Sequence, residues 1–326
     1  MPSPAYELAR CPVCNAADSH EIATTEELRE EIEALWAFHT RRLRDDTPPD
    51  RLTDRVAFTQ APPLRVVQCE RCGTVYRNPR ERAFEVTDTY ADDTLSFETM
   101  QALHDTQQAA YEAQASRLTD VCGRPGRGLE VGSYVGGFLE AARRRGWQFE
   151  GLDVNETAVA FTRALGFTVT SGDLLSFRTN HSFDAVAIWN CFDQLPDPRA
   201  AARAARALLA PRGALAIRVP NGAFYATVRR RLDGIAGPVA RALLAHNNLL
   251  GFPYRQGFTV HSLALLLEDT GFDVVHTHGD TLVPIADEWT RGWAAAEERM
   301  TKTAMKALAA LDTDGAPWFE AYARKA

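Results

Sequence analysis

The turn Gly132-Ser133-Tyr134-Val135-Gly136 follows the apolar run Arg127–Val131 and leads into a helical pattern over 136–145. Glycines at both ends of such a turn suit ligand binding. Gly132 lets the backbone approach a bound group, and Gly136 opens a helix whose first N–H groups point outward. Asp153 closes the next apolar run, 21 residues beyond Gly132, the offset at which a carboxylate takes ribose hydroxyls. Asp173 follows a third run, and Asn190-Cys191-Phe192-Asp193 follows a fourth.

A second chemistry lies near the N-terminus. Cys11 and Cys14 form one C-x-x-C pair, and Cys69 and Cys72 another. Each pair sets two thiolates on one side of a tight loop, and two such knuckles complete a tetrahedral zinc site. With four sulfurs the sphere is full, so this metal is expected to be structural. Disulfides and redox chemistry are the competing readings. The first needs an oxidising compartment, and the second needs a thioredoxin-like strand and helix that the neighbouring sequence does not provide. The 54 residues between the pairs contain Thr24 and Glu27, a capping box, then Leu28, Ile32, Leu35, Trp36, His39 and Leu43 at helical spacing. The pattern predicts an inserted amphipathic helix ended by Asp45-Asp46-Thr47-Pro48-Pro49. Its stripe must bury against the large domain or a second copy of the chain.

Stepping along from residue 121, strands and helices alternate, the signature of a parallel sheet covered on both faces. Strands are expected at 127–131, 149–154, 167–170, 182–190, 213–220 and 272–278, with helices at 136–145, 156–165, 198–209 and after Thr259. The fold class is therefore α/β, a doubly wound Rossmann-like sheet. The expected organisation is a zinc-binding domain with its inserted helix over 1–85, a helical linker covering the cofactor site over 86–120, a ligand-binding domain over 121–286, and a C-terminal helical extension over 287–326. In that extension Trp289, Trp293, Met300, Ala304, Leu308 and Leu311 recur at helical spacing and are expected to face inward. A lid or a contact with a second copy is the other use of that stripe.

In such a sheet the ligand lies across the carboxyl ends of the strands where their order reverses, which is where the glycine turn and the three polar positions fall. The turn holds Tyr134 where a dinucleotide loop has its middle glycine. A pyrophosphate cannot lie as closely against it, so NAD and FAD are disfavoured. A ligand with ribose and adenine but no phosphate fits, and S-adenosyl-L-methionine (SAM) is that ligand. Asp153 would hold the ribose and Asp173 the adenine edge, with Val154 and Leu174 as an apolar wall.

These segments, taken in order, resemble the class I SAM-dependent methyltransferases over about 125–278. "LEVGSYVGGFL" is similar to that family's first motif, "GLDVN" to its ribose motif, "SGDL" to its adenine motif, and "FDAVAIWNCFDQLPDPRAA" with "LLAPRGALAIRVPN" to its fourth and fifth strand motifs. The resemblance implies that Glu130, Gly132, Ser133 and Gly136 contact the methionine portion, and that Asn190 and Phe192 line the rim of the pocket. The paired cysteines with "CGTVYRNPRE" and "TDTYADDTLSF" resemble a branch with an N-terminal zinc region. Several of its members act on nucleotide sugars or natural-product intermediates, and the resemblance implies that Tyr90 lies over the cofactor. The Glu-His pair of the sugar C-methyltransferases has no counterpart in "HNNLLGFPYRQGFT", so sugar C-methylation is not expected.

Methyl transfer from a sulfonium is an in-line displacement in which alignment supplies up to ~7–11 kcal/mol and one base suffices. Asp193, His246 and Tyr254 are the candidates. Asp193 could equally cap its turn, and His246 could equally lie at a helix end. His20, His39, His261, His276 and His278 suit packing or surface roles better. Composition narrows the acceptor. The chain is 45% hydrophobic and 24% charged, as in ordinary soluble proteins. Residues 1–120 carry 13 Lys and Arg against 22 Asp and Glu, a poor match to a nucleic-acid backbone. Without a signal segment or a membrane-spanning run, a cytoplasmic enzyme acting on a small molecule is expected, with oxygen slightly ahead of nitrogen or carbon as the acceptor atom. An RNA or protein methyltransferase, or a SAM-binding scaffold without catalysis, are the alternatives.

Overall fold

Thr24 and Glu27 close the expected capping box at the start of α1 (Thr25–Arg42) in a computed structural model that describes residues 6–49, 65–82, 95–283 and 287–326. The Thr24 hydroxyl accepts from the Glu27 N–H, and the Glu27 carboxylate accepts from the Thr24 N–H at 2.7 Å. Two otherwise unpaired donors are thereby satisfied. The chain divides into two units, each assembled from separated stretches: Met1–Glu81, Val219–Leu263 and His278–Glu320 in one, and Arg82–Arg218, Ala264–Thr277 and Ala321–Ala326 in the other.

The first unit is built on a small sheet. β1 (Tyr6–Glu7) pairs with β5 (Arg80–Glu81), and β2 (Ser19–Ala23), β3 (Val66–Cys69) and β4 (Val75–Arg77) form an antiparallel ladder. The ladder's fourth member is β11 (Gln256–Gly257), which pairs Gln256 with Tyr76 and Gly257 with Val75. The knuckle region therefore captures a strand from a segment some 180 residues away in sequence. The stripe of α1 is covered within its own chain. Leu28, Leu35 and Phe38 join Val66 and Val75 of the ladder, Tyr225 of α6 (Gly222–Arg229), Leu244 of α7 (Gly237–Ala245) and Phe252 in one apolar cluster. Each such buried side chain contributes about 1.5–3 kcal/mol. Within this interface Arg229 Nε lies 2.9 Å from the buried Glu31 Oε1, and the Gly251 N–H donates to Glu31 Oε2 at 3.0 Å.

The C-terminal helix turns the other way from the expectation. In α9 (Gly292–Leu311) the inward face is Ala294, Glu298, Lys302, Met305 and Ala309. Trp293, Met300, Leu308 and Leu311 are exposed, as is Ala304, and Trp289 is half-buried. Polar partners select this face. Lys302 Nζ donates to the His246 carbonyl, and Arg42 Nη2 donates to the Ala294 carbonyl at 2.8 Å. A hydrophobic periodicity cannot register such bonds.

The sheet that the alternation predicts draws most of its residues from the second unit. Its strands are β6 (Arg127–Val131), β7 (Gln148–Asp153), β8 (Val169–Ser171), β9 (Phe183–Trp189), β10 (Leu209–Pro220), β12 (Phe272–Asp280) and β13 (Trp318–Lys325). They lie in the order β12-β13-β10-β9-β6-β7-β8. β10 with β9, β9 with β6, β6 with β7 and β7 with β8 are all parallel, and the order reverses between β6 and β9. Burial on both faces explains the apolar run Ala185–Trp189 of β9. The helices α2 (Phe97–Cys122), α3 (Gly137–Arg144), α4 (Glu156–Ala164), α5 (Pro198–Leu208) and α8 (Val260–Asp269) complete the alternation. Phe138, Phe149 and Trp189 anchor the main apolar cluster, with rings 5.0–5.1 Å apart edge to face. Trp318–Lys325, at the end of the C-terminal extension, is a strand inside the sheet, beside β10. Its alternation is short, and it carries a fully buried Glu320, which disguises a core strand. Among the described residues, no helix is long and apolar enough to cross a membrane.

Candidate cofactor site and metal centre

The glycine turn leaves β6 at the point of strand reversal. Gly132 has φ +73°, and a Cβ there would stand 2.8 Å from Cys191 Sγ. Gly136, at φ +76°, starts α3. Between them Tyr134 has φ +44°, a left-handed conformation that costs a non-glycine residue roughly 1–2 kcal/mol. Two hydrogen bonds offset the cost. The Tyr134 N–H donates to Asp153 Oδ2 at 2.7 Å, and its carbonyl accepts from Thr162 Oγ1 at 2.7 Å. The tyrosine packs against Met100, Val135 and Phe161. The missing glycine has changed the side chain without changing the turn.

Carboxyl groups converge on this turn. Asp153 is 8% exposed, and its Oδ1 accepts from the Asn155 N–H at 2.9 Å. Burial raises its pKa, and the backbone donors only partly oppose that. Glu130 is buried, its Oε2 has no partner among the described residues, and burial with the nearby Asp153 pushes it well up. The Ser133 hydroxyl is likewise buried and unpartnered. Asp173 sits differently. It is exposed, with Oδ1 accepting from the Leu175 and Ser176 N–H groups at 2.7 and 3.0 Å. Slight burial would raise its pKa, but the bonds from Ser176 and Leu175 outweigh that and hold it low. Val154 is half-buried and Leu174 buried. Asn190, at φ +59°, donates through Nδ2 to the Tyr111 hydroxyl at 3.1 Å and accepts from Arg218 at Oδ1. Phe192 is fully buried. Tyr90 lies outside the described residues.

Tyr111, Arg218 and His104 escaped the sequence reading. His104 Nδ1–H donates to the Val135 carbonyl at 2.7 Å. Arg218 had a legible signal, a charge in the middle of the apolar strand "GALAIRVP". Tyr111 and His104 lie on a long mixed helix, where nothing marks one face.

None of the three catalytic candidates opens to solvent. Asp193 is fully buried, neither of its oxygens has a partner among the described residues beyond its own N–H, and burial pushes it well up. Tyr254 is 9% exposed beside Phe252. His246 is 6% exposed and stacks edge to face on Phe38, with Nε2 3.7 Å from Glu297. Burial, then Arg42 and Lys302, push its pKa down to about 4 against the weaker pull of Glu297.

The four cysteines meet as their spacing implies. Their sulfurs all lie within 4.8 Å of one another, with Cys11–Cys72 and Cys14–Cys69 each at 3.5 Å. A zinc tetrahedron with Zn–S of about 2.3 Å has edges of about 3.8 Å, so the set fits that ion. The hydrogen bond between Cys11 and Cys72 holds Cys72 down at about 4 and pushes Cys11 up.

The family model described as "Methyltransferase domain" matches residues 103–277, more than half of the chain. The chain belongs to that family. It is a SAM-dependent methyltransferase. The ubiquinone biosynthesis O-methyltransferase of Neisseria meningitidis is 24% identical over 212 residues, which span 60% of this chain and 82% of the relative. Among solved structures, SAM-bound CalS10, an amino pentose methyltransferase from Micromonospora echinaspora, is 27% identical with a TM-score of 0.34. That match covers 38% of this methyltransferase and 57% of CalS10, little more than half its length. The plantazolicin methyltransferase BpumL in complex with SAH is 13% identical with a TM-score of 0.45, covering 74% of this chain and 93% of BpumL. The residues present suit the cofactor. Glu130 and Ser133 offer unsatisfied buried polar atoms beside the turn, and Asp153 can accept from ribose hydroxyls.

Two outcomes are expected from this geometry. Metal analysis should find about one zinc per chain. Stripping it with a chelator should speed amide exchange in β4 and at Gln256–Gly257 while β6 and β7 keep their protection; unchanged exchange would show that the metal does not brace β11. Second, neutral His246 contributes stability that is complete above about pH 6.5 and is lost as pH falls toward 4, because the unfolded chain then binds the proton first. Denaturant titrations should show that His246→Asn removes up to about 3 kcal/mol of this acid sensitivity. An unchanged pH profile would contradict it.

Proposed function

We propose that the methyltransferase methylates a small-molecule acceptor, a biosynthetic or natural-product intermediate, with oxygen as the favoured acceptor atom. The observation that carries the reading is the glycine turn held open at Tyr134 with the Asp153 carboxylate bonded to its N–H. A buried carboxylate able to accept from ribose hydroxyls at that strand end supports the reading. The bound cofactor supplies an electrophilic methyl group on a sulfonium. The protein's share is to hold and orient: Gly132, Ser133, Gly136 and Glu130 for the methionine end, Asp153 for the ribose, Asp173 with Val154 and Leu174 for the adenine, and Asn190, Phe192 and Tyr134 around the rim.

An acidic N-terminal third supports a small acceptor over a nucleic acid, and the Neisseria relative, named an O-methyltransferase, supports oxygen. Among the base candidates, burial pushes Asp193 well up, and His246, lowered to about 4, is too weakly basic at neutral pH. This favours an acceptor hydroxyl that is already acidic, phenolic or enolic, for which alignment supplies most of the acceleration. The four cysteines hold a structural zinc, and thiolate ligation suits a cytoplasmic setting.

Methyl-labelled SAM offered with a panel of phenols, enols, amines and sugars should yield a labelled ether from a hydroxyl acceptor. Asp153→Ala should weaken SAM binding about 10- to 100-fold, as expected for losing charged hydrogen bonds. Parent-like SAM affinity in this variant would overturn the site assignment.

A further inference from the structure

The outer face of α9 carries an apolar stripe along a helix of 20 residues, about 30 Å long. Trp293 is 53% exposed, Met300 69%, Leu308 66% and Leu311 85%, with Ala304 and Ala307 exposed between them. At about 100° per residue, Trp293, Met300, Ala304 and Leu311 fall within about 20° of one line, with Ala307 and Leu308 beside it. Charges avoid that line. Glu298 and Lys302 are buried on the opposite face, and Arg299 and Lys306 lie about 120–140° round from the stripe. Glu297 borders it, but its carboxylate accepts from Arg42 Nη1 and has Oε1 3.7 Å from His246 Nε2. A charge-free centre carrying Trp and Met has the composition of an interface core.

Area and residue order together select the occupant. The four large side chains present about 550 Å² per copy, at the upper end of what a monomer exposes in one patch. Two copies would bury about 1,100 Å² on these side chains alone, above the roughly 1,000 Å² that a biological interface needs. The stripe also complements itself when reversed. In an antiparallel pair whose two-fold axis passes at the level of residue 302, positions equally far from 302 face each other. Met300 then meets Ala304, Leu308 meets Ala296, Trp293 meets Leu311, and the flanking Thr301 meets Thr303. The bulky Met300 and Leu308 each oppose an alanine, as interdigitating helices require. A parallel pair would set Trp293 on Trp293 and Leu311 on Leu311, with like-charged helix ends together. We propose that the exposed face of α9 docks on the same face of a second copy of this chain, antiparallel, with Met300 seated against Ala304 of that copy. The contact is isologous, so it closes as a dimer and leaves no free stripe.

Sedimentation equilibrium of the full chain tests this. The parent should dimerise with a dissociation constant on the order of micromolar. Met300→Glu and Ala304→Lys, each on the exposed face, should keep the parent's circular dichroism and melting temperature while weakening the dimer at least about tenfold, because each buries an unpaired charge. An equimolar mixture of the two variants should recover dimer to within about tenfold of the parent, since the new carboxylate meets the new ammonium only across the antiparallel contact. Trp293→Lys mixed with Leu311→Glu repeats the test at the helix ends. A parent that stays monomeric at about 100 μM, or a dimer indifferent to the single changes, would overturn the proposal. Single variants that dissociate without recovery in either mixture would overturn the antiparallel register.

Discussion

One hydrogen bond organises the cofactor end of this protein: the Tyr134 N–H donating to the Asp153 carboxylate. It joins the turn after β6 to the tip of β7, and it holds a bulky residue in a conformation usually left to glycine. The bond explains how the chain keeps the glycine-turn backbone while filling its middle position with an aromatic ring. It also places the carboxylate at the edge of the turn. A loop of the same shape carrying glycine there would accept a pyrophosphate; this one offers a ring and a carboxylate instead.

The knuckle region makes a parallel use of distant chain. β11 lies in the segment between β10 and α8, yet it completes the ladder of β2, β3 and β4. The Arg77 guanidinium donates to the Pro253 carbonyl at 2.8 Å, and the Arg77 N–H to the Arg255 carbonyl at 3.1 Å. The four-cysteine cluster therefore braces the stretch that carries Tyr254. The inserted helix α1 adds a second brace through Glu31, Arg229 and the Gly251 N–H. A buried pair of this kind is not a large source of net stability, but it fixes which face of α1 meets α6.

Much of this was written in local patterns. The capping box at Thr24 and Glu27, the alternation from 127 onward and the two cysteine pairs each obey a short-range rule, and the structure reproduces them. The departures arise where long-range bonds decide. Lys302 faces inward in α9 because the His246 carbonyl receives it, so the apolar stripe of Trp293, Met300 and Leu308 ends up exposed. Trp318–Lys325 enters the sheet beside β10, a placement that no local periodicity encodes. Tyr111 and Arg218 meet at Asn190 only because α2 and β10 converge there. His246 was legible as a histidine at a helix end, but the cations that depress its pKa come from α1 and α9.

The central claim is that the turn is shaped for a phosphate-free adenosine. Titrating the protein with SAM and, separately, with NAD⁺ tests it most directly. The account predicts saturable binding of SAM and none of NAD⁺ at comparable concentrations; tight NAD⁺ binding with weak or absent SAM binding would contradict it.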